Sequence, residues 1–356
     1  MNTRRRSTRI LLEPGDVPAT RDDFEVVGAF NPGACRVGDE VVMLARVAER
    51  PRERRPGFIG LPRWEPAEGL RIDWVPDSDW EPIDPRVVRR KADGVVRLTF
   101  TSHLRVVLCG RSGRTARTVL DVTFRPEGEA EEYGVEDPRI TPIAGRFYVT
   151  YVAVSRHGPA TALASTADFR SFERHGIVFC PENKDVVLFP EQVAGSFAAL
   201  HRPVCGTPFT RPEMWVARSP DLIHWGGHAP LDLSGGDWQA GRVGAGAPPI
   251  RVEGGWLEIY HGNRRPVRPG EVGAYCGGAA LLDLDDPTRV IRRTAWPFFE
   301  PEAEFEVLGF VPEVVFPTGV VRDDDRLLVY YGAADTCSAV AEFSLEELLW
   351  AMVAPG

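Results

Sequence analysis

Paired short strands that recur along the chain, 35 glycines with 31 prolines, and very little helical periodicity predict an all-β protein over these 356 residues. The recurrence also predicts an architecture. Small sheets at a spacing of roughly 50 residues, each unable to bury its faces alone, suit a radial stack. The expected fold is a five-bladed β-propeller with a short C-terminal helix.

In chain order, residues 1–20 ("MNTRRRSTRILLEPGDVPAT") open with basic residues, and only Ile10, Leu11 and Leu12 follow before Glu13. That is too short an apolar run for a secretory signal, so the segment is expected to be a mobile arm. Residues 21–356 are then expected to form one propeller domain. The first unit begins "NPGACRVGDEVVMLARVAE" (31–49): a proline-marked entry, a strand, a Gly-Asp turn and a second strand. An insertion over 50–83 separates it from its outer half in "DPRVVRRKADGVVRLTFTSHLRVVLCGRS" (84–112), which could otherwise count as a sixth unit.

The same plan returns in "EDPRITPIAGRFYVTYVAV" (136–154), "LFPEQVAGSFAALHRPV" (188–204), "APPIRVEGGWLEIYHGN" (247–263) and "VVFPTGVVRDDDRLLVYYGAAD" (314–335). Three units continue into an outer strand, Ser/Asp turn chemistry and another strand: "ALASTADFRSFERHG", "WVARSPDLIHWGG" and "ALLDLDDPTRVIRRT". The chain ends in "SLEELLWAM" (344–352), where Ser344 is placed to cap a helix and Leu345, Leu348 and Leu349 share a face.

A formal charge of −9 argues against a nucleic-acid partner. No apolar stretch is long enough to span a membrane. The six cysteines are scattered, without a C-x-x-C pair, which points to reduced, buried thiols in a cytoplasmic protein. Acids in "LLDLDDP" (281–287) could suggest a divalent metal, but their place at a strand end suits a turn better. No metal site is expected.

In a radial stack the innermost strands converge on one channel. Their polar ends, Asn31, Arg46, Asp137, Arg139, Lys184, Arg202, Arg242, His261 and Asp335, should therefore meet in space. A glycosidase needs two carboxylates, one to activate water or attack the sugar. Phosphate is already an anionic nucleophile and needs only cations to position it, so few acids among many cations favour phosphorolysis. His103 in "TSHLR" is a further candidate for substrate contact, with a core role as its alternative.

In combination, "FNPGA", "GVEDPRI", "NKDVVLFPE", "LHRP", "GAGAPPI", "GWLEIYHG", "GGAALLDLDDP" and "YYGAAD" resemble the motifs of the β-mannoside phosphorylases and mannosidases of glycoside hydrolase family 130, in order from about residue 28 to 350. The resemblance implies a five-bladed propeller, an inverting mechanism and Asp137 as general acid, acting through the mannose 3-hydroxyl. It also implies mannose contacts from Asn31, Arg46, Arg139 and Asp335, and a phosphate site made by Lys184, Arg202 and Arg242, with His201 and His261 on its basic rim. Arg242 stands where a lysine is expected in many members.

Residues 44–65 resemble members that act on β-1,2-linked mannobiose or oligomannan. The expected partners are thus a β-mannoside and inorganic phosphate as co-substrate, with no cofactor; homo-oligomerisation is left open. The alternatives are a β-mannosidase on the same scaffold and a glycan-binding propeller without activity.

Overall fold

The computed structural model describes residues 4–204, 210–233, 236–266, 268 and 270–355. Nearly all of the regular structure is β. Strand β1 (Ser7–Leu12) precedes a first antiparallel unit that opens with β2 (Phe24–Val37) and β3 (Glu40–Pro51). An insertion then folds as a hairpin, β4 (Phe58–Glu65) and β5 (Gly69–Pro76), and a small sheet, β6 (Trp80–Asp84), β7 (Val87–Arg90) and β8 (Val96–Leu98). Strands β9 (Thr101–Cys109) and β10 (Ala116–Phe124) complete the first unit. The insertion therefore runs on to residue 100, and 84–100 is not part of the outer half expected there. Its short, arginine-rich strands pair with each other rather than with β3.

The second unit is β11 (Gly134–Ile143), β12 (Arg146–Ser155), β13 (Gly158–Thr166) and β14 (Glu173–Phe179); the third is β15 (Asn183–Leu188), β16 (Phe197–Pro203), β17 (Met214–Ser219) and β18 (Gly226–Leu231). The fourth is β19 (Arg242–Ala245), β20 (Ile250–Val252), β21 (Gly255–Asn263), β22 (Tyr275–Leu282) and β23 (Val290–Arg293). After the short helix α1 (Glu304–Val307), β24 (Val315–Asp323), β25 (Arg326–Ala333) and β26 (Cys337–Ser344) form the fifth, and α2 (Leu345–Ala351) follows. Ser344 caps α2 by accepting the Glu347 amide, as its sequence predicts. Asp168, Asp221 and Asp283 each accept two backbone amides in the turn before an outer strand, which assigns the "LLDLDDP" acids to turn formation.

The N-terminal segment corrects the expectation of a mobile arm. β1 pairs antiparallel with β26, Thr8 opposite Ala341, and becomes the fourth strand of the last unit. Arg5 reaches Glu306 at 2.7 Å, and the Thr8 and Tyr331 hydroxyls meet at 2.7 Å. The run "STRILL" has the alternation of a strand, and the free edge of β26 would otherwise expose unpaired backbone groups. Cys180 is also a correction, since it is exposed; Cys35, Cys109, Cys276 and Cys337 are free and buried as expected, and Cys205 lies outside the described residues.

Apolar clusters fill the spaces between successive units. One joins Leu44 and Leu104 to Val135 and Tyr151, a second Leu163 to Leu188 and Ala199, and a third Val216 and Leu231 to Val243 and Tyr260. The next joins Leu257 and Ile259 to Val329 and Phe343, and another sets Leu328 and Val340 of the last unit against Val41 and Met43 of the first. Each fully buried side chain of this size contributes about 1.5–3 kcal/mol. These contacts hold the leading strands of the units side by side and so fix the geometry of the polar groups on them.

Candidate active site

Three of the leading strands break in the same way. Pairing slips between Phe30 and Gly33 in β2, between Glu136 and Arg139 in β11, and between Lys184 and Val187 in β15. At each break one polar residue takes a left-handed backbone: Asn31 at φ 47°, Asp137 at 49° and Asp185 at 56°. Asn and Asp tolerate this region better than other non-glycine residues, and a bulge re-aims the side chain it carries. Asp335 follows β25 with φ 49°. Close approach of the strands needs glycine at specific points. A Cβ on Gly33 would lie 2.6 Å from the Pro138 carbonyl oxygen, and one on Gly244 would meet the Asp185 carboxylate and the His261 ring.

The polar residues line one cavity of about 260 Å³. Asn31, Arg46, Asp137, Lys184, Arg202, Arg242, His261 and Asp335 all border it, so eight of the predicted site residues are brought together. Tyr275, Phe100 and Phe316 supply apolar wall, and Asp84 and Arg86 enter from the insertion.

Asp137 sits among donors. Its Oδ1 accepts from Asn31 Nδ2 at 2.8 Å and from Arg46 Nη1 at 2.9 Å. Burial alone would lift its carboxyl. The Arg46 and Arg139 guanidiniums, the Asn31 amide and the Lys184 ammonium outweigh that and hold it below the usual aspartate value. Arg46 also donates to Glu136 at 2.6 Å, and the other Glu136 oxygen lies 4.0 Å from Lys184 Nζ. Glu136 thus faces cations in the cavity rather than backbone amides.

Arg139 does not line the cavity, contrary to the expectation that it touches sugar. It is 1% exposed and donates to the carbonyls of Asp137 at 2.6 Å and Gly246 at 3.0 Å, with Asp185 at 3.4 Å. Its five donors in a fixed fork suit this task. It pins the strained backbone of Asp137 to the fourth unit.

On the other side, Lys184 and Arg202 are register partners across β15 and β16, which places their side chains on one face. Burial depresses the Lys184 ammonium, although Glu136 and Asp137 counter it. Arg202 Nε donates to Asp185 Oδ2 at 2.8 Å, and His261 Nε2 lies 3.3 Å from the same oxygen. Burial opposes the Asp185 charge, but Arg202, His261 and Arg139 together hold its carboxyl well below the ordinary value. Arg242 donates to the Tyr275 hydroxyl at 2.7 Å.

Asp335 behaves differently from the other acids. Burial pushes it up to about 6, against the pull of Arg86 and Arg46. Arg86 lies 3.8 Å away and is held by Asp84 at 2.8 Å.

Two histidines fall elsewhere. His103, on the third strand of its unit, is wholly buried 3.9 Å from Glu49, and burial followed by Arg105 and Arg125 pushes it down to about 3. His201 precedes Arg202 by one residue, and strand alternation turns it to the opposite face. There it bonds Asn183 and His228, both at 3.0 Å, and stacks on Phe179.

The balance of charge is also corrected. Among the described residues, five acids (Asp84, Glu136, Asp137, Asp185, Asp335) face five cations (Arg46, Arg86, Lys184, Arg202, Arg242) around the cavity. Asp185, Asp84 and Arg86 were not legible as site residues. "NKD" could have pointed to Asp185, whereas the insertion carries no repeat pattern that marks Asp84 or Arg86. Trp225, Trp238 and Trp256 do not line the cavity; Trp238 and Trp256 are core residues.

Comparison with known proteins gives a consistent picture. A family model described as β-1,4-mannooligosaccharide phosphorylase, glycoside hydrolase family 130, matches residues 111–353. The chain is 39% identical to the β-1,2-mannobiose phosphorylase of Listeria innocua over 98% of both chains. It is 38% identical to a 1,2-β-oligomannan phosphorylase of Thermoanaerobacter sp. over 62% of this chain and 72% of that one. The solved structure of the Listeria innocua enzyme with β-1,2-mannobiose superimposes with a TM-score of 0.89 at 38% identity, covering 96% of each chain.

Proposed function

The chain belongs to glycoside hydrolase family 130, and on that premise we propose that it is an inverting β-mannoside phosphorylase that converts a terminal β-linked mannose and inorganic phosphate to α-mannose 1-phosphate. The observation that carries this reading is the placement of Asp137 in one cavity with Lys184, Arg202 and Arg242. The Listeria and Thermoanaerobacter relatives are named for β-1,2 linkages, so we take the substrate to be β-1,2-mannobiose or β-1,2-oligomannan. Phosphate is the co-substrate, and the chemistry calls for no cofactor.

In the reaction, a phosphate oxygen forms a bond to the anomeric carbon as the bond from that carbon to the glycosidic oxygen breaks. The proton on the departing oxygen comes from Asp137, relayed by the 3-hydroxyl of the bound mannose. Asn31, Arg46 and Asp335 hold the sugar. Lys184, Arg202, Arg242 and His261 receive phosphate on the opposite face, and Asp185 sets the directions of Arg202 and His261. Lys184 is also one of the groups, after Arg46, Arg139 and the Asn31 amide, that hold the Asp137 carboxyl below its ordinary value against the effect of burial in the free protein. A phosphate dianion beside Lys184 cancels part of that ammonium's field and raises the proton affinity of Asp137, which readies the acid when the nucleophile is present.

We read the scaffold as a five-bladed propeller. Its support is the set of apolar clusters that link each unit to the next, including the last to the first. A parallel bridge from Ala29 to Cys337 joins the same two end units.

Product analysis tests the function. With β-1,2-mannobiose and phosphate, the protein should yield mannose and α-mannose 1-phosphate in equal amounts. Two mannose molecules per disaccharide without phosphate would make it a hydrolase.

A further inference from the structure

Glu258 is wholly buried on β21, where strand alternation places it with Trp256 and Tyr260 on the face toward the third unit. Its Oε1 accepts the Gly246 amide at 3.2 Å, while its Oε2 has no hydrogen-bond partner among the described residues. Burial pushes the carboxyl well above the ordinary glutamate value, against the pull of the Gly246 amide and the Arg139 charge, which favours the neutral acid. For a core position this is a poor choice. A leucine of similar size would leave no buried oxygen without a partner, and such exchanges are often neutral or stabilising.

The contact that Glu258 does make is with a constrained peptide. A Cβ on Gly246 would collide with the Ile259 carbonyl oxygen and come within 3.1 Å of the Pro317 carbonyl oxygen. The Gly246 amide is shared between Glu258 and the Ile259 carbonyl at 3.0 Å, and the Ala247 amide donates to the same carbonyl at 3.1 Å. With its amide side held in this way, Gly246 turns its carbonyl to Arg139 Nε at 3.0 Å. Arg139 in turn donates to the Asp137 carbonyl at 2.6 Å and to Asp185 at 3.4 Å, and Asp185 aligns Arg202 and His261. One line of contacts thus runs from a buried acid of the fourth unit to both the proton donor and the phosphate cations.

We propose that Glu258 is a positioning residue for the reaction: it sets the Gly246 peptide on which Arg139 is anchored, and through Arg139 it fixes the aim of Asp137 and of the phosphate site. Glu258 does not line the cavity, so it acts without touching sugar or phosphate. The oxygen left unpartnered is stability forgone for that alignment. The proposal rests on the phosphorylase reading for the product that is measured.

The test compares wild type with Glu258→Gln and Glu258→Leu by thermal melting and by phosphorolysis of β-1,2-mannobiose. Glu258→Leu should melt at or above the wild-type temperature, yet its kcat should fall about tenfold, within the range for a small misplacement of reacting groups. Its KM for phosphate should rise about threefold, and its KM for the disaccharide should stay within about twofold. Glu258→Gln keeps an acceptor for the Gly246 amide and should retain kcat within about twofold. In an Arg139→Lys background, Glu258→Leu should cost less than about twofold more in kcat, because both residues act along one line. A Glu258→Leu protein that fails to fold or keeps full kcat overturns the proposal, as does a Glu258→Gln protein no more active than Glu258→Leu. Failure of the phosphorylase reading shows separately, as wild type that releases mannose without mannose 1-phosphate, and the same comparison then runs on mannose release.

Discussion

Asn31 donates its amide to the Asp137 carboxylate at 2.8 Å across 106 positions of sequence, and both residues have left-handed backbones at breaks in their strands. Neither would reach the other from a regular strand. The strain is a means of aiming, and Arg139 and Gly33 hold it in place.

Asp137→Asn should lower phosphorolysis by about 10³-fold, within the range for loss of a general acid. The amide keeps the size of the carboxyl but not the charge that pairs with Arg46, so the melting temperature should fall modestly without loss of the fold. Release of mannose 1-phosphate and a thermal melt on the same preparation check both statements.

Arg242→Gln should raise the KM for phosphate by about tenfold or more, since a charge-assisted hydrogen bond contributes roughly 1.5–3 kcal/mol. The KM for the disaccharide should move less than about threefold. Initial rates at fixed sugar and varied phosphate, then the reverse, separate the two.

Asp335 gives the stability of the free protein a pH dependence. Its folded value, about 6, is above the unfolded value of 3.8. The folded state therefore holds a proton that the unfolded state has lost between these two values. The contribution is fully present below pH 3.8 and disappears as pH rises through 6, a total of about 3 kcal/mol. Asp335→Asn should remove this component, so its melting temperature should fall less than that of wild type between pH 4 and pH 7. Parallel melts across that range without sugar or phosphate measure it.

Arg139→Met should destabilise the fold by about 3 kcal/mol or more, because it leaves two backbone carbonyls and part of the Asp185 charge without their buried partner. Arg139→Lys should recover some stability but little of kcat, as a single ammonium cannot reproduce the fork. Denaturant unfolding and steady-state kinetics on both variants distinguish positioning from simple structural support.

His103→Leu should leave kcat and both KM values within about twofold, since neither ring nitrogen has a hydrogen-bond partner among the described residues and the ring lies off the cavity. Steady-state kinetics check it.

The parts of the site legible in the sequence were those with a local signature. Asp137 and Asn31 each precede a proline at a strand entry, and repetition of that pattern showed that they belong together. His201 and Arg202 are neighbours on β16, so strand alternation lets only one of them share the face of Lys184. The motif resemblance implies a sugar contact for Arg139, whereas its fork points into the backbone of another unit. Asp185 gains its importance from Arg202 and His261, which lie 17 and 76 residues on, so pairing alone reveals it. Arg86 arrives on an insertion outside the repeat. The strand content of residues 7–12 was visible, but its partner is at the far end of the chain.

The most direct test of the account is a crystal structure of Asp137→Asn with β-1,2-mannobiose and phosphate. Phosphate should lie against Lys184, Arg202 and Arg242, on the face of the anomeric carbon away from the glycosidic oxygen, with the mannose 3-hydroxyl beside residue 137. Phosphate bound away from those three side chains, or on the same face as the leaving oxygen, would contradict it.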